Sequence, residues 1–241
     1  MHDTIVVIQS RMGSSRLPGK MTLPINGIPL FEFILRRLIG LKSFGAKIVL
    51  ATSKDPRNSD LVNIASRYDI DCYLGSEIDV FSRFVAIQNQ FPNRDFIVRI
   101  CGDNPFVDPM LVLELVRFIK SENELDYAWN NVPRGIYDWP DGFGAECFSV
   151  KALKTASSLD LTMSNREHVT QIFYEETFSF NIGSYDPPFD GQIIPKMDID
   201  SYEDYKAILD LIAQYNLGLK SSSREIIQAF NGSREDSRKI L

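Results

Sequence analysis

Four short apolar runs, IVVIQ at 5–9, KIVLAT at 47–52, CYLG at 72–75 and FIVRIC at 96–101, are separated by stretches whose apolar residues recur at helical spacing. Nothing else in the chain restricts the fold as sharply. Runs of this length bounded by turn residues read as strands buried on both faces. Leu30, Phe33, Ile34, Leu38 and Leu41, then Leu61, Ile64 and Ala65, then Val80, Phe84, Ile87 and Gln88 mark the buried sides of the intervening helices. Parallel neighbours require crossover connections, so strand alternating with helix four times predicts an α/β chain: a three-layer, mostly parallel twisted sheet with helices on both faces. Ligands in such sheets collect beyond the carboxyl ends of the strands.

The second half is more mixed. MLVLELVRFIK after Pro109 is a helix leading into DYAWN, and a Gly/Pro/Asp-rich stretch at 131–144 breaks the rhythm as an expected lid or insertion. A strand near 145–150, a helix near 165–176, a strand near 178–183 and a helix from near Ser201 are expected beyond it. With 241 residues, 44% of them apolar, the chain is long enough for one substantial core. We read 1–220 as a single domain and 221–241 as a C-terminal helix followed by a polar stretch, NGSREDSRK, expected to fray.

The formal net charge of −6 argues against a nucleic-acid partner. Residues 10–20 stand apart: they hold Arg11, Arg16 and Lys20 and no acidic residue, which points to a small anionic ligand. Cys72, Cys101 and Cys147 show no spacing suited to a disulfide framework or a zinc site and fit a reducing, cytoplasmic setting. No apolar stretch approaches the roughly 20 residues needed to span a bilayer.

The loop IQSRMGSSRLPGK follows the first strand and precedes the first long helix, where a phosphate-binding loop of an α/β fold occurs. Gly13 and Gly19 permit close backbone approach, Ser14 and Ser15 offer hydroxyls, and Arg11, Arg16 and Lys20 supply cations. Each cation about 4 Å from a phosphate contributes roughly 4 kcal/mol of attraction at an effective dielectric near 20, before desolvation. The spacing is not that of a Walker A loop. Asp103, in FIVRICGDNPFVDP, lies just past a strand end, where a carboxylate can hold Mg²⁺ beside substrate phosphates or serve turn chemistry before proline. In MDIDSYEDY, Asp200 with Glu203 also reads as a helix capping box.

RMGSSRLPGK, followed by INGIPL and FEFILRRL, resembles the opening signature of the sugar cytidylyltransferases, most closely the spore-coat polysaccharide biosynthesis type, with ketodeoxyoctulosonate and acylneuraminate cytidylyltransferases as relatives. RICGDNPFVD resembles their second signature and MDIDSYEDY their late motif, and the likeness runs from about residue 4 to residue 210. It implies a nucleotide-diphospho-sugar transferase-like fold. It also implies a first loop wrapping a triphosphate, with Arg11, Gly13, Ser14, Ser15, Arg16 and Lys20 in that role, and Mg²⁺ on Asp103 and Asp200. The role of Asp198 stays open, because the family commonly has an uncharged residue there.

The same resemblance places Thr52 and Ser53 of ATSKDP, and Ser76, Asp79 and Arg83 of GSEIDVFSRF, against the nucleotide. Helix capping by Ser76 or Asp79, with Arg83 solvated, is the alternative from the residues alone. Asp141 and Glu146 of PDGFGAECFS would face the sugar. In NREHVT, Arg166 would pair a substrate carboxylate, and His168 would be a substrate contact or a structural residue. The implied reaction moves CMP from CTP to an acidic or amino sugar with release of pyrophosphate, for surface polysaccharide synthesis, in a possible homodimer. A glycosyltransferase using Asp198 and Asp200 as its metal motif and a silent nucleotide-binding subunit are the competing readings.

Overall fold

The computed structural model describes residues 1–122, 124–134, 138–189 and 195–239. In chain order the elements are β1 (Thr4–Gln9), a hairpin of β2 (Pro24–Ile25) and β3 (Ile28–Pro29), α1 (Leu30–Leu38), β4 (Lys47–Ser53), α2 (Ser59–Arg67), β5 (Asp71–Gly75), α3 (Val80–Gln90) and β6 (Phe96–Cys101). There follow α4 (Pro109–Ser121), β7 (Tyr127–Trp129), β8 (Glu146–Ser149), α5 (Val150–Ser157), α6 (Met163–His168), α7 (Gln171–Tyr174), β9 (Ile182–Gly183), α8 (Tyr202–Tyr215) and α9 (Ser223–Lys239).

The main sheet has the order β5-β4-β1-β6-β8-β7-β9. Strands β5, β4, β1 and β6 are parallel, and β8 runs antiparallel to both of its neighbours. The chain leaves β1 toward β4 on one side and later returns to pair β6 on the other, so the carboxyl ends of β1 and β6 form a switch point open to ligand. Both faces are covered, as the apolar runs require. Val6 and Ile8 point into a core shared with α1, α2, α4, α8 and α9, while Ile5 and Val7 point into another shared with α3, α5 and α7. All four are fully buried, each contributing on the order of 1.5–3 kcal/mol.

Three expected elements differ. The helix of 165–176 is two short helices, because Val169 takes φ 51° and ψ −59° and the Thr170 N–H donates to the His168 carbonyl at 2.5 Å, a γ-turn. Apolar periodicity runs through the break, since Val169, Ile172 and Phe173 all remain buried. The strand of 178–183 contracts to β9, and α9 extends through Lys239, taking in the NGSREDSRK stretch. Within the expected lid, 135–137 lie outside the described residues.

The C-terminal helix is tied to the segment after β6. The buried Arg37 guanidinium donates to the carbonyls of Phe106, Val107, Gly218, Leu219 and Ser221. Asp108 accepts from the Met110 N–H and the Ser223 N–H, both at 2.8 Å, so one carboxylate caps α4 and α9 together.

Candidate active site

β1 and β6 end in register, Gln9 opposite Cys101, so the loops starting at Ser10 and Gly102 leave the sheet side by side. Gly102 is required there: a Cβ would lie 2.8 Å from the Gln9 carbonyl oxygen and from Ser10. Between these loops opens a cavity of about 360 Å³ whose lining includes Arg11, Ser14, Ser15, Arg16, Lys20 and Asp103, with Arg83, Arg99, His168 and Asp200 around them. Cations outnumber carboxylates on its wall, as an anionic ligand requires.

Lys20 is the centre of this arrangement. Its Nζ donates to Asp103 Oδ2 at 3.2 Å, Asp200 Oδ1 at 3.4 Å and the Ile199 carbonyl at 2.6 Å, and the side chain is only 9% exposed. Arg16 adds an ion pair to Asp200 at 2.8 Å. The basic loop and two carboxylates distant in sequence therefore meet on one cavity wall, and the carboxylates already share a cation. Among the described residues no group of three or more His, Cys, Asp or Glu side chains is arranged to hold a metal ion.

Asp200 reaches Asp103 on an irregular stretch beside the sheet. Met197 N–H donates to the Asp141 carbonyl at 3.0 Å and Ile199 N–H to the Asp103 carbonyl at 2.9 Å, an extra run of chain bridged at Asp141 and Lys196. Gly142, at φ 96°, allows this approach, because a Cβ would lie 2.7 Å from the Met197 carbonyl carbon. The α8 cap is Ser201 with Asp204, whose Oδ2 accepts from both the Ser201 and the Asp200 N–H. This corrects the Asp200–Glu203 capping box and leaves the Asp200 carboxylate available to the cavity. The same stretch gathers Asp103, Asp141, Asp198 and Asp200. Burial, followed by the charges of Asp198 and Asp103, pushes Asp141 up to about 7 against the pull of Lys196. Burial also raises Asp198, although Lys196 opposes the shift.

A second lobe of about 240 Å³ shares Arg99, Cys101, Asp103 and His168 with the first and adds Asn104, Asn131, Arg134, Asp141, Glu146 and Asp198. Its floor is a closed network. Glu146 pairs with Arg99 and accepts from the Tyr127 hydroxyl at 2.6 Å and the Thr170 hydroxyl at 2.8 Å, with Arg134 at 3.9 Å. Burial would raise the Glu146 carboxyl, but Arg99, Tyr127, Arg134 and Thr170 outweigh it and hold the group low. Arg134 lies over the Tyr174 ring, 3.9 Å from its centroid. The Cys101 thiol is raised by burial to about 12 and is no nucleophile near neutral pH.

Of the residues singled out in the sequence, Arg11, Ser14, Ser15, Arg16, Lys20, Arg83, Asp103, His168 and Asp200 line the first lobe, and Asp103, Asp141, Glu146 and His168 line the second. Gly13 lines neither lobe, and a Cβ there would lie 3.0 Å from Oε1 of Glu77, which pairs with Arg11 at 3.4 Å. Thr52 and Ser53 are not on either wall: β4 is covered on both faces and leaves them 0% and 1% exposed. Ser76 and Asp79 are likewise off the wall, each accepting backbone N–H groups at the start of α3. Arg83 is buried and donates to the Ser76 and Glu77 carbonyls. Arg166 pairs with Asp79 at 2.9 Å across the α3–α6 contact, and neither lines the two lobes.

Sequence reading missed Asn58 and Arg99. Asn58, 1% exposed, donates to the Ser53 carbonyl and hydroxyl and accepts the Met12 N–H at 2.8 Å, bracing the basic loop from 46 residues away. Arg99 sits in an apolar run, where a single charged residue on a buried strand was the available signal.

A mostly parallel sheet with a cationic loop and paired carboxylates at its switch point defines a nucleotidyltransferase-like α/β protein. Residues 5–226 match the family described as Cytidylyltransferase, and the chain belongs to it. Over 237 residues it is 28% identical to the spore coat polysaccharide biosynthesis protein SpsF of Bacillus subtilis, covering 96% of this chain and 95% of that one. It superposes on a cytidylyltransferase from Leptospira borgpetersenii with a TM-score of 0.84 at 25% identity, over 98% of this chain and 95% of the other. The structure of CMP:2-keto-3-deoxy-manno-octonic acid synthetase complexed with CTP shares the fold, with a TM-score of 0.65 at 18% identity over 88% and 98% of the two chains. The protein is a cytidylyltransferase, an α/β enzyme of the nucleotidyltransferase class. Among the described residues no helix is long and apolar enough to cross a membrane.

Proposed function

We propose that this enzyme transfers CMP from CTP to a hydroxyl of an acidic or amino sugar, for surface polysaccharide synthesis, with the triphosphate in the first lobe and the sugar in the second. The observation that carries the reading is Lys20, joined to both Asp103 and Asp200 at the mouth of the basic loop. The sugar oxygen forms a bond to the α-phosphorus, the bond from that phosphorus to the α–β bridging oxygen breaks, pyrophosphate leaves and the hydroxyl proton passes to water. Such transfers depend on positioning and on neutralising charge more than on covalent help from the protein. Arg11, Arg16 and Lys20 hold the β and γ phosphates, Ser14 and Ser15 offer donors, and Arg99 stays charged between the lobes, supported by Glu146.

The donor set fits a divalent ion. Asp103 and Asp200 converge on one cation, two carboxylates being the usual protein share of a Mg²⁺ site completed by phosphate oxygens and water. Mg²⁺ held there would neutralise charge on the α-phosphate. The test is pyrophosphate release, crossing four nucleoside triphosphates with a panel of keto-sugar acids and amino sugars. CTP with at least one sugar is expected to react and Asp103→Asn to be silent while keeping its circular dichroism; undiminished turnover by that variant would remove the carboxylate role. Arg16→Ala is expected to weaken CTP binding far more than CMP binding, and equal losses would move the loop away from the β and γ phosphates.

A further inference from the structure

A row of polar side chains crosses the sheet where the two lobes meet. Arg99 of β6 stands opposite Glu146 of β8, and Gln9 of β1, opposite Cys101, is its diagonal neighbour on the same face. The Arg99 backbone is paired to strands on both sides, so the side chain is what reaches the cavities. Of the four described residues that line both lobes, Arg99, Cys101, Asp103 and His168, Arg99 is the one with a permanent positive charge.

This guanidinium is held by part of its donors and leaves the rest free. Nε donates to Gln9 Oε1 at 2.9 Å, and Nη1 donates to Glu146 and to Thr170 Oγ1 at 3.4 Å. Glu146 is itself fixed by the Tyr127 and Thr170 hydroxyls. Nη2 has no hydrogen-bond partner among the described residues, and it is within reach of solvent rather than sealed in the protein. Gln9 divides in the same way. An arginine Nε–H can only donate, so the Gln9 amide oxygen must face it and the amide nitrogen is turned away. Gln9 lines the first lobe, and its Nε2 is unpartnered among the described residues and also within reach of solvent. Two donors on bonded neighbours, one of them charged, are left for an acceptor from the cavity.

Their place in the site selects the acceptor. A phosphorus that stays joined to a nucleotide in the first lobe and takes an oxygen from a sugar in the second must sit at the junction, with negative charge on its nonbridging oxygens throughout. Donors fixed in advance toward that charge need no rearrangement at the moment of reaction. We infer that Gln9 and Arg99 are catalytic residues that donate, through Nε2 and Nη2, to a nonbridging oxygen of the phosphoryl group in transit, and that Glu146 and Thr170 are positioning residues for Arg99. This rests on the CMP-transfer reading and adds two residues to its site. Neither side chain gains or loses a proton, and the bonds made and broken are those of the transfer itself.

The experiment separates donor from brace at Gln9. Gln9→Glu keeps an oxygen for Arg99 Nε and removes the Nε2 donor, whereas Gln9→Leu removes both. Single-turnover pyrophosphate release, from saturating CTP and a sugar of the panel that the unaltered enzyme uses, is expected to slow about a hundredfold in both variants. The CTP dissociation constant of Gln9→Leu is expected to change by less than about threefold, as for an interaction made in the transition state. The two CTP diastereomers with sulfur in place of one nonbridging α-oxygen locate the contact, because sulfur is the poorer acceptor. The unaltered enzyme is expected to favour one diastereomer by about tenfold or more and Gln9→Leu to lose most of that preference. Gln9→Glu reacting at the unaltered rate, a loss confined to CTP affinity or to the KM of the sugar, or a diastereomer preference unchanged in Gln9→Leu overturns the inference while CMP transfer stands. If the unaltered enzyme binds CTP but releases pyrophosphate with no sugar, the CMP-transfer reading fails and the inference with it.

Discussion

Asn58→Ala probes how the first loop is held. The buried side chain makes three hydrogen bonds, two to Ser53 at 2.8 and 3.1 Å and one, partly buried, from Met12 N–H at 2.8 Å. At about 0.5–1.5 kcal/mol net for each, with added cost for the orphaned Met12 N–H and Ser53 carbonyl, the loss of stability is about 2–4 kcal/mol. Only the Met12 bond crosses into the basic loop. Its share, about 1 kcal/mol, is what the loop must recover when it closes on phosphates, so CTP affinity is expected to fall roughly fivefold. Urea unfolding reads the first effect and isothermal titration with CTP the second. Destabilisation with CTP affinity unchanged within about twofold would confine Asn58 to bracing the strand end, and no destabilisation would refute the accounting itself.

Arg37→Met removes five donors from buried carbonyls and leaves Asp108 without its nearby cation; breaking such a buried charged network is expected to cost about 3–5 kcal/mol in chemical denaturation, and a loss below about 1 kcal/mol would show that water replaces it. Asp141 supplies a pH test. Its folded pKa is raised to about 7, so the folded state holds a proton the unfolded chain has released, and stability falls as pH rises from about 4 to 7. Asp141→Asn is therefore expected to leave stability near pH 4 unchanged and to raise it near pH 8 by about 1–2 kcal/mol once solvent screening is allowed for. Equal melting temperatures of the two proteins at pH 8 would contradict this.

Much of the site was legible in the sequence because its first two parts are strand-end loops. A cation-rich, glycine-containing stretch after β1 and an aspartate one step beyond β6 follow from the α/β pattern alone, and the sheet's switch point brings them together. What was not legible depends on contacts across the chain. The 195–200 stretch reaches Asp103 by pairing with Asp141 outside the main sheet, a pairing that no periodicity reports. Arg166 reads as a free cation on a helix, and only the packing of α3 on α6 gives it to Asp79. Thr52 and Ser53 sit at a strand's carboxyl end, where ligands gather, but neighbouring chain covers them. The break at Val169 is hidden because apolar spacing reports which residues are buried, not whether the backbone stays helical.

Calorimetric titration of CTP with and without Mg²⁺, on the unaltered protein and on Asp103→Asn, addresses the shared site most directly. Magnesium is expected to tighten CTP binding to the former and to leave the variant's affinity unaffected, because the ion would lose one of its two protein carboxylates. A magnesium effect of the same size in both proteins would contradict a single centre formed by the basic loop, Asp103 and Asp200.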